Sequence, residues 1–531
     1  MMDNLFGTDG IRGRVVLDEC DDEEALQRIV EERELTPQLM KLLGEAHGRT
    51  LPEEGQGDTI VIGWDERPDN ITLASWLTLG FHASNCTVVH IGLASTPMLH
   101  YAVLETGARL GCMITASHNP VEDSGIKVFD ALGRKSMPAY ERLVTTSAYS
   151  LSQEDREIDT TDREAWMKPA SHHSVDHSKW LERRLDLAEK AFDRTLDFPN
   201  SFLLDYSKGH ASTWLASWLN AHGIDATEVS QEAVAMNAGC GAGELSPGQS
   251  WTWSEAKTSD HLLVRSVTSQ AEGIIVGAAL DGDGDRCLLL QETRDGICVV
   301  DGDDIADALL SALDADWIVA ASIESNLTLL TSVHQHESMI GIETAVGDRW
   351  LSHALSKNHS LSGDAYPIML GIEDSGHLVL PSPHPNGSTW SLVGDGAMTL
   401  IMSLLSMQHS SSSSMEKGWK RRISVTNPNR WMWDGKNQHA DSIESMAITH
   451  LALAGEVTNW QRTGLEGEPN LMLIRCQLNG SDVSLGIRNS GTQAKTSVSL
   501  RFAQADAGFD AMLMLRSIQN FLLRTFNPVA H

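Results

Sequence analysis

The chain has 531 residues, 41% of them hydrophobic, and a formal net charge of −32. At about 100–200 residues per domain, this length predicts three or four hydrophobic cores rather than one. So strong a negative charge repels phosphate backbones and anionic lipids, which argues against nucleic acid and membrane surfaces as partners.

Strands and helices alternate along the chain. Apolar runs bounded by turn residues predict buried strands at 58–65, 87–92, 201–205, 273–277 and 317–321. Thr36 and Pro37 supply an N-cap and a first-turn proline for a helix that continues to about residue 46. Helical spacing predicts further helices at 180–192 and 305–313. This alternation is typical of an α/β fold.

Polar stretches with little periodicity predict the domain boundaries. One lies near residue 165, within the Ser-, Asp- and His-rich segment 150–177, and a second lies near residue 301. The third is the serine run 410–414, after which residues 471–476, 484–487 and 497–500 alternate as in a sheet. The expected domains are residues 1–165, 166–300, 301–412 and 413–531.

No feature of the sequence indicates export or membrane insertion. Residues 1–15 contain Gly, Asp and Arg where a secretory signal would need a long apolar stretch. The longest apolar-rich run, residues 398–407, is too short to span a bilayer. The seven cysteines include no C-x-x-C pair, which favours reduced core thiols. We therefore expect a cytoplasmic protein.

The most informative motif surrounds Ser117, in the segment Ile-Thr-Ala-Ser-His-Asn-Pro at residues 114–120. An apolar approach, a hydroxyl, an imidazole and a chain-reversing Asn-Pro would place a nucleophilic oxygen at a rigid, exposed turn where a strand ends. Such a serine could carry a phosphoryl group. Taken alone, the motif favours an ordinary turn in which Ser117 bonds its own backbone.

A second motif contains Asp281, Asp283 and Asp285, which alternate with glycines after an apolar strand. Carboxylates so spaced can turn inward onto one hard cation, for which Mg²⁺ is expected. The spacing to Glu292 also matches a calcium EF-hand, but Arg286 occupies the required glycine position and strand-like sequence flanks the loop. A solvated acidic turn is the weaker alternative, because three carboxylates repel one another without a cation.

Two further motifs lie later in the chain. Glu373, Ser375 and His377 offer a carboxylate, a hydroxyl and an imidazole within one turn, which suits the hydroxyls of a sugar. A capped strand-to-helix turn explains them equally well. Residues 488–492, Arg-Asn-Ser-Gly-Thr, contain hydrogen-bond donors that could surround a phosphate. A polar hairpin turn explains this segment equally well.

The four motifs fall in four different predicted domains, which predicts a site shared by all of them. Together they supply a nucleophilic hydroxyl, ligands for a cation, groups that bind sugar hydroxyls and donors that bind a distal phosphate. This combination predicts the movement of phosphate on a phosphosugar.

In this order the motifs resemble those of the α-D-phosphohexomutase superfamily over most of the chain. The similar segments are residues 5–13, the phosphoserine loop 115–120, the magnesium loop 281–286, the sugar-binding loop 373–377, the phosphate-binding loop 488–492, and the third-domain segments 344–349 and 394–396. Within the superfamily, Phe-Gly-Thr-Asp-Gly-Ile-Arg-Gly and Val-Gly-Asp-Arg are most similar to the phosphoglucosamine mutases.

The resemblance implies three similar α/β domains with mixed sheets and a C-terminal α+β domain of the TATA-binding-protein-like kind. It implies an isomerase that interconverts hexose 6-phosphate and hexose 1-phosphate, most closely glucosamine phosphate, through a phosphoserine and a bisphosphorylated sugar. A phosphosugar is the expected partner, and the chain is expected to be a monomer or a homodimer.

The resemblance also implies roles for individual residues. The implied catalytic residues are Ser117, His118, Lys127, Arg12 and His377. The implied Mg²⁺ ligands are Ser117, Asp281, Asp283 and Asp285, with Arg286 near the metal. The implied substrate-binding residues are Thr344, Gly347, Glu373, Ser375, Arg488, Ser490, Gly491 and Thr492.

The chain departs from the family pattern at Gln493-Ala494, where members commonly have Glu-Pro. A phosphoglucomutase or phosphomannomutase would use nearly all the same residues. A haloacid-dehalogenase-like phosphatase would leave Ser117 without a role, and a non-catalytic phosphosugar sensor would not need Lys127. A transition-metal site at residues 172–177 is less expected than a solvated linker.

Overall fold

The computed structural model describes most of the chain. The described residues are 4–53, 55–154, 171–172, 176–357, 359–385, 387–407, 416–427, 429–490 and 494–526, with only the backbone of residues 171, 172 and 430. They form four β-sheets that follow one another along the chain.

The first sheet has seven strands and mixed strand directions. Its strands are β1 (Ile11–Val15), β2 (Glu34–Leu35), β3 (Thr59–Trp64), β4 (Thr87–Leu93), β5 (Leu110–Ile114), β6 (Asp123–Asp130) and β7 (Ser171–His172). Their spatial order is β2-β1-β6-β5-β3-β4-β7, and β6 runs antiparallel to both of its neighbours. We call each sheet together with its helices a layer. The helices of the first layer are α1 (Asp22–Glu31), α2 (Pro37–Arg49), α3 (Asn70–Ala83), α4 (Thr96–Thr106) and α5 (Pro138–Ser152).

Helices α2 and α3 cross closely because glycines lie at their contact. A Cβ added at Gly80 would lie 1.9 Å from the carbonyl oxygen of Lys41, and one added at Gly44 would lie 2.2 Å from that of Leu77. Only a residue without a side chain fits at these positions. The predicted start of α2 is confirmed, since the backbone N–H of Leu39 donates to the Thr36 hydroxyl at 3.1 Å.

The second sheet has six strands in the order β10-β13-β12-β11-β8-β9. They are β8 (Phe202–Asp205), β9 (Ala226–Glu228), β10 (Ser250–Thr252), β11 (Ile275–Leu280), β12 (Cys287–Thr293) and β13 (Gly296–Val300). The associated helices are α6 (His177–Phe192), α7 (Leu215–Ala221), α8 (Trp253–Lys257) and α9 (Leu262–Ser266).

The third sheet has five strands in the order β15-β14-β16-β17-β18. They are β14 (Ile318–Ser322), β15 (Ile340–Thr344), β16 (Met369–Ile372), β17 (Leu378–Pro383) and β18 (Trp390–Gly394). The associated helices are α10 (Gly302–Ala312), α11 (Leu327–Gln335), α12 (Asp348–Lys357) and α13 (Gly396–Met407). The apolar run at 398–407 belongs to α13, and one hydrophobic cluster joins it to α6 and to strands of the second and third sheets.

The fourth sheet is wholly antiparallel, in the order β19-β23-β22-β21-β20. Its strands are β19 (Lys420–Thr426), β20 (Val457–Leu465), β21 (Glu468–Leu478), β22 (Ser481–Asn489) and β23 (Lys495–Phe502). Its helices α14 (Gln438–Ala454) and α15 (Ala511–Phe526) share a hydrophobic core with the sheet.

The predicted fold class is confirmed: three mixed α/β layers precede an α+β unit. Each strand and helix predicted from apolar runs lies within two or three residues of an observed element. The domain boundaries at residues 165, 301 and 413 stay predictions. In the described part of the chain, no helix is both long and apolar enough to cross a membrane.

Candidate active site

Each of the four motifs lies where two antiparallel neighbouring strands of its own sheet are joined. The Ser117 loop joins β5 to β6, and the aspartate loop joins β11 to β12. Residues 373–377 join β16 to β17, and the phosphate-loop motif begins at the end of β22, before β23. The strand-to-helix turn considered for residues 373–377 is therefore wrong. The strands on both sides of the aspartate loop also confirm the rejection of an EF-hand.

Ser117 is held in a left-handed backbone conformation, with φ of 55°. This conformation is uncommon for a residue with a side chain and requires support from its surroundings. The backbone N–H of Ser117 donates to the Thr115 hydroxyl at 2.8 Å, and its carbonyl accepts from Asn237 at 2.8 Å. Its Oγ donates to Oδ2 of Asp281 at 2.7 Å. The prediction of an exposed turn is wrong, because Ser117 is fully buried under these contacts from the second layer.

Arg67 is a buried residue of the site that the sequence reasoning missed. Its guanidinium donates to four carbonyl oxygens of the serine loop, those of Ser117, Asn119, Pro120 and Asp123. Asp65 fixes the guanidinium from the other side, with its Oδ2 3.2 Å from Nε of Arg67. The available signal was the Asp-x-Arg sequence directly after buried strand β3.

The three aspartates of the second motif converge. One carboxylate oxygen from each of Asp281, Asp283 and Asp285 lies within 4.8 Å of the others, and all three residues are buried. Asp281 accepts from the backbone N–H of Asp285 at 3.1 Å and of Arg286 at 3.2 Å, which closes the turn. Burial, with help from Asp285 and Asp283, raises the pKa of Asp281 to about 7.

The donor set suits a hard divalent cation. Oδ1 of Asp283 is buried and has no hydrogen-bond partner among the described residues, so it is available to a ligand. Carboxylate oxygens and the Ser117 hydroxyl are the kind of ligand that such ions prefer. The residues present therefore fit a divalent metal.

Lys127 lies beside the same carboxylates. Its ammonium is 2.7 Å from Asp283, 2.6 Å from Asp285 and 3.1 Å from Asp9. Burial opposes the charge of Lys127, but these three carboxylates outweigh burial and raise its pKa well above the ordinary value. Lys127 is thus a protonated group in this arrangement.

His377 connects the sugar-loop motif to the aspartate loop. Its Nε2 lies 3.0 Å from Oδ1 of Asp285, and its Nδ1 lies 3.4 Å from Glu373. Burial lowers the pKa of His377, but Asp285 and Asp348 overcome that effect and raise it to about 10. The other oxygen of Glu373 accepts from the backbone N–H of Gly347 at 2.7 Å. Glu373 is therefore oriented from two sides.

His118 and Arg12 lie at the other side of the site. Arg286, followed by burial, lowers the pKa of His118 to about 2, so that its imidazole is neutral. Arg12 donates to Asp9 at 2.9 Å and to the side chain of Asn119 at 3.5 Å.

A cavity of about 590 Å³ is lined by several of these groups, although Ser117, Lys127 and the three aspartates are buried and not part of its wall. Its wall includes Arg12, His118, Arg286, Gly347, Glu373 and His377, from the first three layers. Thr344 is buried and donates to the carbonyl of Ala345, and Ser375 is a half-buried turn residue. Neither lines this cavity.

The described residues of the fourth motif, 488–490, are not part of the wall of this cavity. Arg488 is the penultimate residue of β22, and its Nη2 donates to Glu324 at 3.0 Å. The backbone N–H of Ser490 donates to the carbonyl of Lys495 at 2.9 Å. Gly491, Thr492 and Gln493 lie outside the described residues. Residues 173–175 of segment 172–177, where a transition-metal site was less expected than a solvated linker, also lie outside them, whereas His177 packs against Trp180 and Trp214.

Comparison with known families gives two matches. Residues 3–154 match "Phosphoglucomutase/phosphomannomutase, alpha/beta/alpha domain I", and residues 301–422 match domain III of the same family. A phosphoglucosamine mutase of Prochlorococcus marinus is 31% identical over 407 residues, which cover 75% of this chain and 73% of the relative. One of Frankia casuarinae is 31% identical over 414 residues, covering 75% and 77%.

Solved structures share the fold over nearly the whole chain. A phosphoglucomutase/phosphomannomutase family protein from Burkholderia thailandensis superposes with a TM-score of 0.63 at 17% identity, covering 100% of this chain and 99% of the other. The N-acetylphosphoglucosamine mutase of Aspergillus fumigatus, in complex with GlcNAc-6P and magnesium, gives 0.56 at 14% identity, covering 98% and 96%.

The fold and the convergence of a buried serine on a carboxylate cluster define the class of phosphohexomutases, isomerases that move a phosphoryl group within a hexose phosphate. The chain belongs to the phosphoglucomutase/phosphomannomutase family. The superfamily and the enzyme class predicted from the motifs are thereby confirmed.

Proposed function

We propose that this phosphohexomutase interconverts glucosamine 6-phosphate and glucosamine 1-phosphate, with Ser117 as the phosphoryl carrier. The observation that carries the proposal is the 2.7 Å hydrogen bond from Ser117 Oγ to Asp281. The backbone of this loop is strained at Ser117 and is held by Arg67 from the first layer and by Asn237 from the second. The choice of sugar rests on the phosphoglucosamine mutases among the relatives. A phosphoglucomutase or phosphomannomutase is the second candidate, because the matching family carries those names.

In the proposed cycle, phosphorylated Ser117 donates its phosphoryl group to one hydroxyl of the sugar monophosphate. The bond from Ser117 Oγ to phosphorus breaks, a bond from the sugar oxygen to phosphorus forms, the proton of the sugar hydroxyl passes to a base, and the leaving Oγ takes up a proton from an acid group. The bisphosphate then turns, and Ser117 takes back the other phosphoryl group. Burial of Ser117 excludes water, which would otherwise compete as the acceptor.

Asp281, Asp283 and Asp285, with the Ser117 oxygen, would hold Mg²⁺, which when bound neutralises charge on the phosphoryl oxygens. Arg12 and Arg286 would add positive charge from the cavity wall, and neutral His118 can offer one N–H. These groups are in place before the substrate arrives, so that little reorganisation opposes the reaction.

Lys127 and His377 are the proposed acid and base groups at the sugar hydroxyl. Both are protonated beside Asp283 and Asp285, so each begins as a proton donor, and the one that acts as base must first lose its proton. Glu373 and Ser375 would bind ring hydroxyls, with Thr344 and Gly347 supporting the loop. The non-reacting phosphate would be held by Arg488, Ser490, Gly491 and Thr492.

Coupled assays with glucosamine 6-phosphate, glucose 1-phosphate and mannose 1-phosphate, run in parallel, test the sugar. A higher kcat/KM for glucosamine phosphate is expected, and a preference for glucose or mannose would favour the second candidate. Intact-mass measurement of the purified enzyme should find one phosphate that is lost in Ser117→Ala together with activity. Full activity of Ser117→Ala would overturn the carrier role. A cytoplasmic location and a monomeric or homodimeric state stay predictions.

A further inference from the structure

Two Arg–Glu–Arg triads join the third sheet to the fourth. In the first triad, Glu324, just after β14, accepts from Arg488 at 3.0 Å and from Arg422. In the second triad, Glu343 of β15 accepts from Arg501 at 2.6 Å and from Arg475 at 3.0 Å. The carboxylates thus belong to one layer and the arginines to the next, so both triads hold the same interface.

The second triad is less exposed than the first, although the Arg475 side chain is 39% exposed. Arg501 is 2% exposed, and it also donates to the carbonyl of Ser325 at 3.0 Å and to the Ser484 hydroxyl at 2.8 Å. Glu343 and Ser325 belong to the third-sheet side of the interface, and Ser484 belongs to the fourth sheet, so Arg501 is bonded on both sides. The second triad therefore has the features of a structural contact.

The first triad is more open. The Arg422 side chain is 52% exposed, and those of Arg488 and Glu324 are 17% and 14% exposed. The second terminal nitrogen of Arg488 lies 3.4 Å from Glu468, so each of its terminal nitrogens faces a carboxylate. Carboxylates therefore already lie at both of the terminal nitrogens that an anion would use on Arg488.

We propose that Glu324 competes with the non-reacting phosphate of the substrate for Arg488. A guanidinium binds carboxylate and phosphate through the same N–H donors, so the two anions cannot use the same nitrogen at once. Phosphate binding is then an exchange, in which Glu324 gives up Arg488 and keeps Arg422. This inference rests on the proposed function, in which Arg488 takes that phosphate.

The exchange matters because the proposed bisphosphate must turn round during each cycle. A phosphate held only by positive groups would be released slowly, since most differences in affinity appear in the dissociation rate. A neighbouring carboxylate that recaptures Arg488 weakens the phosphate complex and speeds its release. Glu324 contacts no reacting atom in this scheme and acts through Arg488, so it is a positioning residue.

The test measures the affinity for inorganic phosphate by calorimetry at low ionic strength, together with KM and kcat for the hexose phosphate that the enzyme turns over best. Glu324→Gln should bind phosphate about 3- to 10-fold more tightly, because a competing charge has been removed. Its KM should fall, and its kcat should fall as well because release is slower. Glu324→Asp keeps the charge and should stay closer to the wild type.

Glu343→Gln is the matched control, since it opens a triad at the same interface without contact to Arg488. It should lower the thermal midpoint but leave phosphate affinity unchanged. In an Arg488→Gln background, Glu324→Gln should no longer strengthen phosphate binding. Equal or weaker phosphate binding by folded Glu324→Gln would overturn the inference.

The failure of the proposed function has a different signature. If Arg488→Gln leaves phosphate affinity intact, the assignment of Arg488 fails and the competition fails with it. If Arg488→Gln weakens phosphate binding while Glu324→Gln does not strengthen it, the competition alone fails.

Discussion

The guanidinium of Arg67 donates from Nη2 to the backbone carbonyl of Ser117 at 2.9 Å. The same side chain contacts three more carbonyls of the loop, so a single buried cation holds the backbone from Ser117 to Asp123. Charge-assisted bonds of this kind are stronger than neutral ones and can offset the cost of a left-handed serine. Arg67 therefore helps to fix the backbone that carries the Ser117 hydroxyl.

Replacement of Arg67 should damage catalysis more than substrate binding. Arg67→Lys keeps the charge but loses the planar fork, and a shift of the serine by about 1 Å is expected to cost about 100-fold in kcat. Steady-state kinetics should find a much smaller change in KM. Arg109→Lys is the control, because Arg109 also donates to backbone carbonyls, those of Pro52 and Gly57, but among the described residues it makes no hydrogen bond to the Ser117 loop. Equal losses of kcat in both variants would contradict the prediction.

Removal of the metal should abolish activity, and Mg²⁺ should restore it. Asp283→Asn should raise the Mg²⁺ concentration needed for half-maximal activity by about 10-fold or more, because a carboxylate with an unpartnered oxygen is lost from the cluster. The stabilisation of the enzyme by Mg²⁺ in thermal unfolding should weaken in parallel.

Asp303 provides a matched control for this metal prediction. It is a fully buried aspartate that is ion-paired with a lysine, Lys420, and one of its oxygens also has no partner among the described residues. Asp303→Asn should leave the Mg²⁺ requirement unchanged. A similar shift in both variants would mean that the aspartate cluster is not the metal site.

Glu228, at the end of β9, should make stability depend on pH. Burial raises the pKa of Glu228 from 4.5 to about 7, although its Oε1 accepts two hydrogen bonds from Ser230. Because the folded pKa is the higher one, the stabilising contribution is complete below about pH 4.5 and is lost as the pH rises through about 7. Glu228→Gln should match the wild type near pH 5 and exceed its free energy of unfolding by on the order of 1–3 kcal/mol near pH 8.5. Urea unfolding at both pH values checks this, and parallel pH curves would refute it.

The close crossing of α2 and α3 should not tolerate a methyl group. Gly80→Ala would place Cβ 1.9 Å from the carbonyl oxygen of Lys41, so the helices must separate. A loss of about 1–3 kcal/mol in the free energy of unfolding is expected, since overpacking of a close contact is costly. Gly464→Ala is the control, because nothing lies within 4 Å of its Cβ position. Equal thermal midpoints for the two variants would contradict this account of the crossing.

Local features of the fold were predictable because they depend on neighbours in sequence. Thr36 caps α2 through a bond to a residue three positions later, and the apolar run before Asp281 forms β11. The aspartate cluster was also predictable, since three carboxylates so close together repel one another unless a cation lies beside them. The exposure of Ser117 was predicted wrongly, because Asn237 and Asp281, which cover it, come from another layer.

The chemical groups of the enzyme and their order can be read from the amino-acid sequence: the Ser117 hydroxyl, the three aspartates, the sugar-loop residues and Arg488. Their partners, such as Arg67 for the Ser117 carbonyl and Glu324 for Arg488, depend on how the folded chain packs. The physical reason is that turns and caps form between residues a few positions apart. A buried charge instead takes whichever opposite charge the packing of apolar faces brings within reach, at any distance along the chain.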